Sequence, residues 1–187
     1  MYQSRITVDL PSAETDRRRS PIEWLRSLLG AELDLRSGRE ELTVGAAWLV
    51  EGLAEGFAAI GVHDVVSFLV DGESIYLDTR HVPGDLPLIV RAAEAAGVLD
   101  RAFREMHLVL AHRSQTLHTT IDCAVRNGVL LGESEMTIVL SGQPTAGLDP
   151  AAGLGELDAL TERVANELAS VLAGARVVRG AAVRAAV

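Results

Sequence analysis

Side chains alternate between apolar and polar character along residues 107–141, the pattern of strands with one buried face. On the central run the positions predicted to be buried are Leu117, Thr119, Ile121, Cys123 and Val125. The positions predicted to face away from the core are His118, Thr120, Asp122 and Arg126. Two-residue turns at Ser114–Gln115 and Asn127–Gly128 would join three such strands into a meander and would place Ile121 opposite Ser134. One face of this sheet should therefore pack on a core, while the other collects polar groups.

A hairpin is predicted at residues 63–82. Its turn is Asp71-Gly72, a dipeptide typical of type I′ turns because both central residues need positive φ. A two-residue turn there would place Phe68 opposite Ile75 on one face of the hairpin. A further strand is predicted at Arg5–Leu10. The predicted sheet therefore has five to six strands.

Helical spacing of apolar residues predicts the remaining elements. One helix covers residues 44–60 and ends at Gly61, and a shorter one begins at a capping Asp85 and ends before Gly97. The longest helix runs from about 150 to 173. A capping pattern at Ser20-Pro21-Ile22-Glu23 predicts one more short helix, which would end at Gly30.

Three glycines, Gly45, Gly52 and Gly56, lie on the apolar stripe of the helix at 44–60. Glycine in a helix interior costs about 1 kcal/mol relative to alanine. Their presence indicates that another element approaches this helix closely. That element lies either within the fold, which we favour, or across a dimer interface.

Strands joined by tight hairpins are antiparallel, so the predicted class is α+β: an antiparallel sheet with helices packed on one face. The chain of 187 residues is predicted to form a single domain. Residues 1–19 are expected to hold a strand followed by a flexible polar segment. The pattern assigns no structure to residues 31–42 or to the tail, 175–187.

In element order alone, the chain is similar to the small acidic chaperones of bacterial type III secretion. Those proteins combine helices with an antiparallel sheet and form dimers. The similarity implies a homodimeric, non-catalytic module that binds another protein.

Charge and cysteine content narrow the class of partner. The chain has 26 acidic and 17 basic residues and a net charge of −9, which argues against binding to nucleic acid. Its one cysteine, Cys123, excludes an internal disulfide framework and fits a reducing cytosol. The most apolar window contains Glu51 and Glu55, so no membrane span is predicted. We therefore expect a cytoplasmic protein.

The strongest candidate site combines His107, His118 and Asp122, with Thr120 between the last two. These are the residue types of a site with two histidines and one carboxylate. His118 and Asp122 are four residues apart, however, which is about 13 Å along a strand. We therefore expect a cross-strand hydrogen bond between His107 and Asp122 on a solvated face, and we predict no metal and no cofactor.

A second polar patch is predicted at the end of the hairpin, where Tyr76, Asp78 and Arg80 would share one strand face. Such a patch would bind a small anion or a partner peptide. The alternative is a solvated strand face that carries one weak ion pair.

Known catalytic signatures are absent from the sequence. It contains no phosphate-binding loop, no nucleophile elbow and no HExxH motif. The alternation places Cys123 in the core, where a thiol behaves as a small hydrophobe. We therefore favour a non-catalytic adaptor or chaperone-like module, homodimeric or bound to another protein. The alternatives are a small-molecule-binding protein, with a pocket between the sheet and the last helix, or a metal-dependent enzyme using the face around His107, His118 and Asp122.

Overall fold

The computed structural model describes residues 1–10, 46–78, 84–99, 103–127, 134–145 and 150–185. The strands are β1 (Tyr2–Leu10), β2 (Asp64–Val70), β3 (Glu73–Leu77), β4 (Gly84–Asp85), β5 (Glu105–Arg113), β6 (Leu117–Asn127), β7 (Ser134–Pro144), β8 (Arg176–Arg179) and β9 (Val183–Arg184). The helices are α1 (Ala46–Ala59), α2 (Leu86–Ala95) and α3 (Pro150–Val171). The predicted helix at 20–30, the segment 31–42, Gly45 and Arg80 lie outside the described residues.

All nine described strands belong to one antiparallel sheet with the order β3-β2-β5-β6-β7-β1-β8. Strand β4 pairs with β2, and β9 pairs with β1. The predicted α+β class is confirmed, and the sheet has more strands than the five to six expected. Part of the excess lies in the tail, where β8 and β9 extend the sheet beyond β1.

The helices form one layer on one face of the sheet. Helix α3 lies across β1, β7 and β6, and α1 packs against α3. The burial of β6 alternates as predicted, with Leu117, Ile121, Cys123 and Val125 almost fully enclosed. Apolar side chains of the sheet and of α1, α2 and α3 form a single core.

The helix predictions are largely confirmed. Helices α1, α2 and α3 are followed by Gly61, Gly97 and Gly174, whose φ values are 77°, 65° and 84°. Only glycine adopts this backbone region without steric cost, so each of these residues ends its helix. Asp85 precedes α2 as predicted, but its side chain makes no capping hydrogen bond.

The close approach predicted from the glycines of α1 occurs within the fold. A Cβ atom on Gly52 would lie 2.8 Å from Leu172 Cδ2, and one on Gly56 would lie 3.1 Å from Val171 Cγ2. Both contacts are with side chains at the C-terminal end of α3. The two glycines therefore let α1 and α3 pack closely.

The β2–β3 hairpin has the predicted turn. Asp71 and Gly72 have φ values of 52° and 80°, as a type I′ turn requires. A β-bulge between Phe68 and Leu69 moves Phe68 opposite Tyr76, so the predicted pairing of Phe68 with Ile75 is wrong. The Asp71 carboxylate also accepts hydrogen bonds from the backbone N–H groups of Arg104 and Glu105, at 2.8 and 3.0 Å.

Both turns predicted for the meander are wrong. Between β5 and β6, Arg113 lies opposite His118, so the register differs by two residues from that of a turn at Ser114–Gln115. The backbone N–H of Ser114 donates to the carbonyl oxygen of Leu117 at 2.9 Å, so the turn is displaced by one residue to Gln115–Thr116. The Ser114 hydroxyl oxygen accepts the backbone N–H of Leu117 at 2.9 Å and stabilises this turn. Because the shift is even, each side chain keeps its predicted face.

Asn127 is part of β6 and lies opposite Ser134, so no two-residue turn begins there. Its side-chain amide donates to the carbonyl oxygen of Phe103 at 3.0 Å and accepts from the Ser134 hydroxyl at 2.6 Å. Ile121 consequently pairs with Leu140 and not with Ser134.

Candidate functional site

The face of the sheet opposite the helix layer carries most of the polar side chains that the alternation predicted. On β1, the hydroxyl oxygen of Ser4 lies 2.6 Å from the hydroxyl oxygen of Thr161 on α3. The even-numbered residues of β1 therefore face the helices, and the odd-numbered residues point away from them. We call the outward-pointing residues of β5, β6, β7, β1 and β8 the open face. Among the described elements, no helix packs on it.

The strand register arranges the open face in rows that run across the sheet. An outer row is charged and consists of Glu105, Arg126, Glu135, Asp9 and Arg176. The middle row consists of Val109, Asp122, Val139 and Arg5. The row between the middle row and the charged outer row consists of His107, Ala124, Thr137, Thr7 and Val178. The row on the other side of the middle row consists of Ala111, Thr120, Ser141 and Gln3. The opposite outer row contains Arg113, His118 and Gln143.

His107 lies between two carboxylates on this face. Its Nε2 atom is 2.9 Å from Glu105 Oε1, and its Nδ1 atom is 4.0 Å from Asp122 Oδ1. The same Glu105 oxygen is 3.4 Å from Arg126 Nε. The hydrogen bond with His107, and more weakly the interaction with Arg126, hold the pKa of Glu105 below its ordinary value. His107 and Asp122 therefore lie close together but do not form the predicted hydrogen bond, because 4.0 Å is too long for one and the two residues are diagonal neighbours and not a direct pair.

The other predicted members of this site lie apart from His107. His118 is opposite Arg113 and Gln143, and Thr120 is exposed opposite Ala111 and Ser141. His107 is opposite Ala124, which is six residues along β6 from His118, so the two imidazoles do not converge on one point. Within the described ranges, no group of three His, Cys, Asp or Glu residues is arranged to hold a metal ion.

Two of the three residues of the predicted hairpin patch, Tyr76 and Asp78, lie within the described residues. Tyr76 lies opposite Phe68 and packs against the core, half-buried on the helix side of the sheet. Asp78 follows β3, and its backbone N–H donates to the carbonyl oxygen of Val66 at 2.8 Å. Arg80 lies outside the described residues.

Two polar side chains face the helix layer near the β5–β6 connection. His112 lies directly opposite Thr119, whose hydroxyl is buried and has no hydrogen-bond partner. Burial lowers the pKa of His112, and the charge of Arg163 on α3 lowers it further. The alternation in the sequence already placed His112 on the core side, but nothing local indicated the charged neighbours on α3.

A shallow groove of about 420 Å³ separates α1 from α2. It is lined by Ala54, Glu55, Ala58, Leu86, Pro87, Val90 and Arg91. No residue of α3 contributes to this lining, so the groove is not the pocket predicted between the sheet and the last helix.

No protein-family model, no curated protein and no solved structure matches this chain. None of the described helices combines the length and the apolar character needed to cross a membrane.

Proposed function

We propose that this protein is a non-catalytic interaction module that forms a homodimer through the open face of its sheet. The observation that carries the proposal is that no described helix covers this face, whose inner rows combine small and aliphatic side chains with His107, Asp122 and Arg5. Stacked sheets pack about 10 Å apart, and small side chains favour that distance. Val109, Ala124, Thr137, Val139 and Ser141 are all half-buried on this face and would become fully buried in such a stack.

The charge of the open face supports a second copy of the chain as its occupant. The face carries four acidic side chains, Asp9, Glu105, Asp122 and Glu135, and four basic ones, Arg5, Arg113, Arg126 and Arg176. The whole chain, by contrast, has 26 acidic and 17 basic residues. Because its charges balance locally, this face lets two copies with a net charge of −9 approach each other.

The two sheet edges are less suited to binding a partner strand. Strand β3 has five residues and its pairing with β2 contains a bulge, while β8 has four residues, of which two are arginines. Short, bulged or charged edges disfavour strand addition. The broad face is therefore the better interaction surface of the described sheet.

The proposal is tested by measuring mass in solution with multi-angle light scattering during size-exclusion chromatography. We expect the wild-type protein to be a dimer and the Val139→Glu variant to be a monomer. Leu88→Glu is the matched control, because Leu88 is 47% exposed on α2, in the helix layer. It should remain a dimer. A wild-type monomer across the accessible concentration range would overturn the proposal.

The alternative function is small-molecule or metal-dependent chemistry around His107, His118 and Asp122. One observation favours it: His107 and Asp122 do approach each other on an accessible face. Native mass spectrometry of protein purified without chelator tests it. A stoichiometric adduct that is lost in the His107→Ala variant would support this alternative, and a bare dimer mass would support the interaction module.

A further inference from the structure

His107 lies on the open face at a position where its protonation and the proposed dimerisation affect each other. We infer that His107 takes up a proton when two open faces meet, so that the homodimer tightens as pH falls and loosens as pH rises. This inference rests on the proposed function and adds to it the regulation of the same surface.

Each ring nitrogen of His107 has a carboxylate oxygen near it. Nε2 lies 2.9 Å from Glu105 Oε1, and Nδ1 lies 4.0 Å from Asp122 Oδ1. A neutral imidazole carries one N–H group and one lone pair, whereas a protonated imidazole carries two N–H groups. The neutral ring therefore leaves its lone pair on the side of one carboxylate, and only the protonated ring presents an N–H group to both.

The charges beside His107 are unbalanced while its ring is neutral. On β5 and β6 these charges belong to Glu105, Asp122 and Arg126. The hydrogen bond with His107 holds the pKa of Glu105 below its ordinary value, so this carboxylate stays ionised in mild acid. Two negative charges and one positive charge remain, and a proton on His107 makes the cluster neutral.

Strand β2, on the other side of His107, adds only negative charge. Leu69 lies directly opposite His107. The Asp71 carboxylate, at the end of β2, already accepts two backbone N–H groups, and Asp64 lies opposite Ala111, four residues along β5 from His107. Both acidic groups favour the protonated ring, as Glu105 and Asp122 do.

Stacking of two open faces removes this cluster from water. In the single chain the side chains of His107, Glu105 and Asp122 are 39%, 43% and 53% exposed, so water screens their charges. Excluding water strengthens the attraction between a protonated ring and the carboxylates, and it raises the cost of an unbalanced carboxylate. The proton is therefore held more tightly in the dimer than in the monomer. By linkage, the dimer is favoured at low pH, and this gain is lost as pH rises through the titration of His107 in the dimer.

The second copy does not bring a net charge that would reverse this effect. Its open face carries four acidic and four basic side chains, the same sets as the first. The unbalanced charge that accompanies dimerisation is consequently that of the cluster around His107, once in each copy.

Sedimentation equilibrium at pH 8 and pH 5.5 tests the inference, because imidazoles ordinarily titrate at about pH 6.5, between these values. We expect the dissociation constant of the wild-type protein to be at least about tenfold lower at pH 5.5. His107→Gln should remain a weak dimer at both pH values. His107→Lys, which keeps a positive charge at both, should be a tight dimer at both. Circular dichroism confirms that each variant is folded.

His118→Gln is the matched control, since His118 also lies on the open face, in the outer row beside Arg113 and Gln143. Its dimer should tighten in acid as the wild-type dimer does. If the wild-type protein is a dimer that Val139→Glu dissociates, but its dissociation constant does not fall in acid or falls equally in His107→Gln, the inference is wrong and the proposed function stands. If the wild-type protein is a monomer at both pH values, both fail.

Discussion

The surroundings of His112 affect the stability of the folded protein because they shift the pKa of its imidazole. Burial lowers its pKa from the ordinary 6.5, and Arg163 lowers it further, while Glu156 and Asp64 act in the opposite direction. The unfolded chain therefore binds a proton more readily than the folded protein does. As pH falls through 6.5 towards the lower folded value, the free energy of unfolding should decrease, and it should level off once both states are protonated.

We predict that His112→Gln reduces the loss of stability between pH 7 and pH 5. The substitution removes the imidazole, whose protonation is less favourable in the folded protein than in the unfolded chain. Urea unfolding at both pH values measures the change. His118→Gln, at an exposed position of β6, controls for the loss of an imidazole in general. The prediction fails if the two variants lose the same free energy of unfolding. Measurements stay above pH 5 because the lowered pKa of Glu105 adds its own acid dependence below 4.5.

At the scale of elements, contact between α1 and α3 depends on side-chain volume at Gly56. A Cβ there would lie 3.1 Å from Val171 Cγ2 and 3.3 Å from Leu168 Cδ2. We predict that Gly56→Leu destabilises the protein by about 1–3 kcal/mol, the usual cost of overpacking. This cost should exceed the gain of up to about 1 kcal/mol in helix propensity.

Gly155 on α3 is the matched control, because nothing lies within 4 Å of a Cβ at that position. Gly155→Leu gains helix propensity without a clash and should leave stability unchanged or raise it by up to about 1 kcal/mol. Chemical denaturation measures both variants. Equal effects would show that helix propensity, and not packing between α1 and α3, governs both sites.

The elements that the sequence predicted correctly are those whose cause is local. The alternation along β6 and the Asp71-Gly72 turn depend on neighbouring residues, and both are confirmed. Asn127 was misassigned because its partners, Phe103 and Ser134, become neighbours only in the folded sheet. Strands β8 and β9 have four and two residues, too few to show an alternation.

The same limit explains the outcome at the candidate site. Parity alone placed His107 and Asp122 on one face, and the structure brings them within 4.0 Å. The contacts of Glu105 with His107 and Arg126 depend on conformation and strand register, and the predicted register differed by two residues. An even error preserves the face of every side chain but changes its partners.

At the scale of the whole molecule, the proposed dimer would bury a charged side chain near the centre of the open face. Asp122 lies in the middle row of this face, so stacking of two sheets would remove its carboxylate from water. An ionisable side chain lies nearby, since Asp122 Oδ1 is 4.0 Å from His107 Nδ1. Removing a carboxylate from water costs free energy unless its charge is fully compensated.

We therefore predict that Asp122→Asn tightens the dimer several-fold, because an amide costs less free energy than a carboxylate when it is removed from water. Sedimentation equilibrium measures the dissociation constant. Glu135→Gln is the control, since it removes one negative charge from the outer row of the same face. If both variants tighten the dimer equally, net charge and not position controls association. If Asp122→Asn leaves the constant unchanged or weakens binding, the two copies do not stack about the centre of the open face.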